Sequence, residues 1–295
     1  MSKDYFSDYH PITDLIFFAG VLIYAMVLLH PVFSAASLVC SYIYYFWVKG
    51  IKGLKYLCVM TIMFVFLSCI NPIFNTAGSI RLFYIFGRPY TLEALIYGIT
   101  LSAVIVAVLC WFAVFNTVMG SEKIIYLLSH ITPAISIVLS MILRLIPNMK
   151  RNAAEIIQAR ACIGLAGPVS SKAQRLKAGA DVFNTLAAWS LESAVIMSDS
   201  MKARGYGSAK RTDFRKYRIT RRDIICMLFM IVMIISTAVL AAMGGAKADL
   251  SPLDISWFGN IRMSLCLGIY ILFMLIPTII NMKEAAVWHI LRSRI

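Results

Sequence analysis

From Ile12 to Val118 the chain strings together long apolar runs with short polar breaks; from Met119 to Arg222 the rhythm becomes amphipathic and basic, and two more apolar runs follow. A membrane-crossing helix needs roughly 20 mostly apolar residues. Six stretches meet or approach that length: 12–29, 32–48, 56–74, 92–118, 223–243 and 261–280. His30-Pro31 parts the first two so narrowly that they are expected to form a tight antiparallel hairpin, because proline breaks the preceding helix. Asn71-Pro72 starts the exit of the third run. Residues 75–91, with Gly78, Gly87 and Pro89, are expected to be a loop.

The basic insert predicts two helices. Thr132-Pro133 has the N-cap and first-turn proline of a helix start. Pro147 is expected to kink or restart that helix. Beyond it, Met149, Ala153, Ile156 and Ile163 share one face, with Arg151, Glu155 and Gln158 on the other, and Gly164, Gly167 and Pro168 end it. The second helix is expected from about Ser171 to Arg204. Its apolar stripe is Phe183, Leu186, Ala187, Ser190, Leu191, Ala194, Met197 and Met201, recurring at three and four residues. Gly205 follows as a left-handed helix-closing residue.

Composition then fixes the class. Hydrophobic residues are 60% of the 295 and charged residues only 14%, against about 25% charged in soluble domains; the mean hydropathy is +0.80. The chain therefore reads as an all-α integral membrane protein with about six transmembrane helices. Two long amphipathic cytoplasmic helices lie between spans four and five. The division expected is 1–118 with four spans, 119–222 as the helical insert, and 223–295 with two spans and a basic tail.

A net charge of +14 would point to nucleic acid in a soluble protein. Here 17 of the 28 Lys and Arg residues fall between Met119 and Arg222, while 75–91 and 244–260 hold three. Lysine and arginine favour cytoplasmic loops, so the insert and both termini are expected in the cytoplasm of a multi-pass protein, and no nucleic-acid partner is expected. The basic cluster Lys210, Arg211, Arg215, Lys216, Arg218, Arg221 and Arg222 suits anionic lipid. Trp47, Trp111, Trp257 and Trp288 are expected near membrane interfaces.

Candidate chemistry is sparse. Asp14, Glu93, Asp223 and Arg262 sit at span ends, and none of the spans carries a mid-membrane charge of the kind ion-coupled transporters use. The seven cysteines form no C-x-x-C pair. His10, His30, His130 and His289 lack metal-site spacing, so no metal or cofactor is expected. No G-x-x-x-x-G-K-[ST], G-x-S-x-G or H-E-x-x-H occurs, and no catalytic residue is assigned.

What stands out is a repeated tripeptide: Ala159-Arg160-Ala161 at the end of the first insert helix and Ala203-Arg204-Gly205 at the end of the second. Arginine in a last turn is favoured by the helix dipole alone. Two in matched settings point instead to a guanidinium offered to a partner's carboxylate or carbonyls, with small neighbours allowing close approach.

Those tripeptides, with Leu143-Arg144-Leu145-Ile146-Pro147 and Met201-Lys202-Ala203-Arg204-Gly205-Tyr206, resemble the transmembrane T component of energy-coupling factor (ECF) transporters, the EcfT/CbiQ family. Asn71-Pro72-Ile73-Phe74, Thr91-Leu92-Glu93-Ala94 ahead of Gly98, and Arg211-Thr212-Asp213-Phe214-Arg215 are similar too. The resemblance implies a non-catalytic scaffold in a prokaryotic cell membrane, coupling ATP hydrolysis elsewhere to import of a vitamin or metal ion. It implies two ATP-binding-cassette (ABC) subunits as partners, docked at Ala159, Arg160, Ala161, Ala203, Arg204 and Gly205. A small substrate-binding membrane subunit would be held on the face of Phe183, Leu186, Ala187, Leu191, Ala194, Met197 and Met201. Where the family's first motif ends in glycine, this chain has Ala161, so the helix is expected to run on toward Gly164. The competing expectation is an intramembrane lipid-modifying enzyme with a basic head-group site, for which Glu155, Asp181, Glu192 and Asp199 are the candidate acids.

Overall fold

The structure, a computed structural model, describes residues 4–74, 81–85, 88–131, 133–164, 172–206, 217, 219–245 and 261–292. Each of the six apolar runs forms a helix: α1 (Pro11–Val27), α2 (Pro31–Lys49), α3 (Leu54–Phe74), α4 (Leu92–Val118), α8 (Arg221–Leu240) and α9 (Ile261–Arg292). Between α4 and α8 lie α5 (Ser121–Ile131), α6 (Pro133–Cys162) and α7 (Lys172–Ala203). The protein is an all-α membrane protein. By length and composition, four helical stretches can cross a membrane: Pro31–Phe74, Leu92–Val118, Arg221–Gly244 and Ile261–Trp288, with Pro11–Val27 apolar but shorter.

Two expectations about elements need correcting. Residues 75–91 are not all loop: β1 (Arg81–Ile85) and β2 (Arg88–Thr91) pair antiparallel, with Tyr84 opposite Pro89 and Ile85 opposite Arg88. Pro147 does not restart its helix; α6 runs through it from Pro133 to Cys162. The short helix α5 had no counterpart in the sequence reading. Thr132, Gly167, Pro168 and the segment 210–216 lie outside the described residues.

The chain divides into two compact units, residues 1–124 with 217–295, and residues 125–216. In the first, α4 packs against α1, α2 and α3, and α9 against α2 and α8. Phe17 is the hub of the core, with rings of Phe6, Phe18, Trp111 and Phe273 at 5.2–5.8 Å. Trp111 is fully buried there, about two turns before the end of α4, against the rings of Phe17 on α1 and Tyr44 on α2.

Small residues let helices meet closely. A Cβ on Gly20 would stand 2.9 Å from Ile234 and Phe273, and one on Gly98 would stand 2.9 Å from the Asn71 Cβ and 3.0 Å from the Ser68 carbonyl. The outward faces of α3 and α8 stay apolar and exposed, as at Ile62, Phe66, Ile225 and Leu228. Lipid tails are as apolar as these side chains, so such faces carry no aqueous penalty in a bilayer.

One end of this unit is polar and buried. There His10 precedes a proline and caps α1, Nδ1 accepting from the Ile12 N–H at 3.3 Å; past the other end of α1, His30 caps α2 in the same way, accepting from the Val32 N–H at 3.2 Å. Asn281 on α9 accepts from the Tyr5 and Phe6 amides at 2.9 and 3.2 Å, and donates to Asp4 at 2.7 Å. Burial pushes the Asp4 carboxyl up, partly offset by the bonds from Asn281 and Phe6. Asp14, in the first turn of α1 and so at a span end as expected, is fully buried and accepts from Lys123 in the first turn of α5. Asp223 is buried as well, closing a reciprocal cap with Thr220 and accepting from the His10 amide at 3.3 Å.

Candidate functional site

The second unit is built on α6 and α7. Ser190 on α7 donates to Met149 on α6 at 3.3 Å, and Arg160 Nη2 on α6 donates to Asp181 Oδ2 on α7 at 3.1 Å. Met141 shares a groove with Ala194, Met197 and Met201. As the α6 position rises from 141 to 149 to 160, its α7 neighbour falls from the high 190s to 190 to 181. The two helices are therefore antiparallel, and their C-terminal arginines lie at opposite ends of the pair. Position 181, beside Arg160, is 23 residues before Arg204. At 1.5 Å per residue that puts the two ends about 35 Å apart along α7.

The ends are locally different. Helix α7 closes in a Schellman turn: Gly205 N–H donates to the Lys202 carbonyl at 2.9 Å and Tyr206 N–H to the Met201 carbonyl at 3.0 Å. Gly205 sits at φ +71°, a conformation that glycine adopts without the Cβ penalty. This makes Arg204 the C-cap residue; it is exposed and makes no ion pair among the described residues. In α6 the residue at positive φ is Gly164, at +77°, and the helix continues through Ala161 and Cys162. Arg160 thus stands four residues before its closing glycine, while Arg204 stands one before. Alanine at 161 permits those extra helical residues, as its high helix propensity favours.

Arg160 is half-buried and tied to Asp181, whose side chain is 49% exposed. A pair that open to solvent contributes about 0–1 kcal/mol, so its guanidinium can be surrendered to a better acceptor at small cost. Ala159, Ala161, Ala203 and Gly205 are all exposed, leaving both arginines flanked by little bulk.

The apolar stripe of α7 divides. Leu186, Ala187 and Met201 are half-buried, whereas Phe183 and Leu191 are each 72% exposed and Ala194 and Met197 also face outward. Trp189, Val195 and Ile196 add exposed apolar surface that the three-and-four spacing missed, because they lie off the ridge that spacing selects. Glu155, Asp181, Glu192 and Asp199, the candidate acids of the enzyme reading, are all exposed.

Two sequence motifs of the first unit also come together. Thr91 caps α4 by accepting from the Ala94 amide at 3.4 Å, and Gly98, two turns into that helix, receives Asn71 of α3.

These features define a membrane-helical protein with an antiparallel helix pair that presents one arginine at each end. No protein-family model matches the chain. Over 101 residues the chain is 32% identical to a protein of Lactobacillus helveticus (strain DPC 4571) named energy-coupling factor transporter transmembrane protein EcfT. That stretch is 34% of this chain and 36% of the relative's length. Over about a third of its length, then, the chain is similar to a transmembrane component of ECF transporters.

Proposed function

We propose that this chain is the T component of an ECF-type importer, a non-catalytic multi-pass scaffold of six spans whose insert 119–222 is cytoplasmic. In this reading Arg160 and Arg204, with Ala159, Ala161, Ala203 and Gly205, dock two ABC-type ATPase subunits. The exposed residues Phe183, Leu191, Ala194 and Met197 hold a small substrate-binding membrane subunit, and Leu186, Ala187 and Met201 brace them from the α6 side. ATP-driven movement of the two ATPases shifts the helix pair and reorients the bound subunit. The cargo is a vitamin or a metal ion.

The observation that carries this reading is the separation of the two arginines. Ends about 35 Å apart along one helix cannot enter a single groove; they suit two acceptor sites on two subunits. The likeness to the transmembrane component from Lactobacillus helveticus supports the same assignment.

The test is purification of the tagged full chain from membranes of its own host, with ATPase chains counted by mass spectrometry. The wild type is expected to retain two. Arg160→Glu with Arg204→Glu reverses both end charges and is expected to reduce retention at least tenfold while the protein stays membrane-inserted, the scale set by losing charge-assisted bonds of about 1.5–3 kcal/mol each. Undiminished ATPase retention by that double variant removes the basis of the assignment.

A further inference from the structure

A cavity of about 290 Å³ opens in the membrane-helical unit, where the N-terminal segment meets the first turn of α8 and the last turns of α9. Its wall brings together Asp8, Tyr9, Tyr217, Arg222, Glu284 and Trp288. The nearby Asp223 carboxylate is already committed, accepting from the Thr220 amide at 2.8 Å, its hydroxyl at 2.6 Å and the His10 amide at 3.3 Å. Arg222 and Glu284 are different: neither makes an ion pair among the described residues, although both line one cavity. Both also act on the Tyr9 hydroxyl, which burial chiefly and then Cys226 push up, while Arg222 pulls it down and Glu284 pushes it up. A guanidinium and a carboxylate without an ion-pair partner among the described residues therefore line one space with the rings of Tyr5, Tyr9, Tyr217 and Trp288.

That arrangement selects its ligand by charge. The guanidinium supplies paired N–H donors for a phosphate. The Glu284 carboxylate and the faces of Tyr9, Tyr217 and Trp288 attract a cation. A purely anionic group would meet repulsion from Glu284, and a purely cationic one would meet Arg222. A group with a phosphate and an ammonium a few bonds apart satisfies both. Trimethylation of that ammonium would remove the N–H donors that Glu284 accepts from, so a primary amine is preferred. The volume is at the small end of ligand cavities and suits a headgroup. One to two turns further along the same helices, Ile225 and Leu228 on α8 and Ile279 and Met282 on α9 are exposed and apolar, as acyl chains require.

We propose that this cavity binds the phosphoethanolamine headgroup of a membrane phospholipid, with Arg222 on the phosphate and Glu284 and the aromatic walls on the ammonium. The site belongs to the membrane-helical unit and would be present whatever the insert engages.

The experiment is native mass spectrometry of the purified full chain, titrated with phosphatidylethanolamine, phosphatidylcholine and phosphatidylglycerol of matched acyl chains, and separately with soluble phosphoethanolamine. Phosphatidylethanolamine is expected to bind roughly tenfold more tightly than either other lipid, the scale of one charge-assisted bond. Glu284→Gln is expected to abolish the preference over phosphatidylcholine, and Arg222→Gln to weaken phosphatidylethanolamine and phosphatidylcholine together. Both variants change half-exposed or exposed wall residues, and an unchanged melting temperature confirms that each remains folded. If a variant does unfold, Trp288→Phe, which keeps an aromatic face but weakens cation attraction, is expected to lower phosphatidylethanolamine binding severalfold. Equal binding of the three lipids, stronger binding of phosphatidylglycerol, or a preference untouched by all the variants overturns the proposal. Tighter binding of soluble phosphoethanolamine than of the lipid overturns the assignment to a lipid.

Discussion

Among single residues, Asp14 and Lys123 carry the sharpest energetic consequence. Asp14 has no exposed surface and Lys123 only 8%. Removing one partner of a buried pair strands a desolvated charge at a cost of about 3–5 kcal/mol, while replacing both with neutral groups can be nearly neutral. Lys123→Met is therefore expected to lower the melting temperature of the detergent-purified protein markedly, and Asp14→Asn combined with Lys123→Met to recover most of the loss. A double variant no more stable than the single one would contradict the pairing. The pair was not legible in the sequence. Asp14 stands in the first turn of an apolar run, where a water-facing carboxylate is the ordinary expectation, and its partner belongs to a helix of 11 residues, too short to announce itself by periodicity.

At the level of elements the sequence was far more informative. Proline at a first helical turn, glycine at a left-handed close and three-and-four apolar spacing located α6 and α7 to within a few residues of Pro133–Cys162 and Lys172–Ala203. These are local signals, written where the chain acts on them. Pairings between distant segments are not so written, and this is why the bond from Arg160 to Asp181, 21 residues apart, went unread. Helix contacts nevertheless give clear expectations. Gly98→Ala would press a methyl group into Asn71 and the Ser68 carbonyl, and overpacking of that kind costs about 1–3 kcal/mol. A fall in thermal stability with the helical circular dichroism preserved would confirm it. Gly205→Ala forces alanine to φ near +71° at a cost of about 1–2 kcal/mol. Amide exchange at Tyr206, whose N–H holds the Met201 carbonyl, is expected to accelerate roughly tenfold on that scale.

For the whole molecule, length is the variable to test. Deleting seven residues from α7 between 181 and 204 rotates the distal end by only about 20° relative to its original face, yet draws the two arginines about 10 Å closer. In the proposed assembly that variant keeps the chemistry of both ends and loses their spacing. Mass spectrometry of the purified complex is expected to find one ATPase chain where the wild type retains two; retention of both would show that separation is not what matters. The fold class was readable from hydropathy alone, since a chain so poor in charge has few places to hide from a bilayer. The antiparallel register that sets the distance was not, because it is fixed by contacts between residues 21 and 41 apart, Arg160 with Asp181 and Met149 with Ser190. The register has a mechanical corollary. In the proposed assembly, two equal pushes in opposite senses, one at each extremity of a stiff rod, would sum to no net displacement but to a torque, so the α6–α7 pair would swivel, and whatever rests along its flank would be tipped.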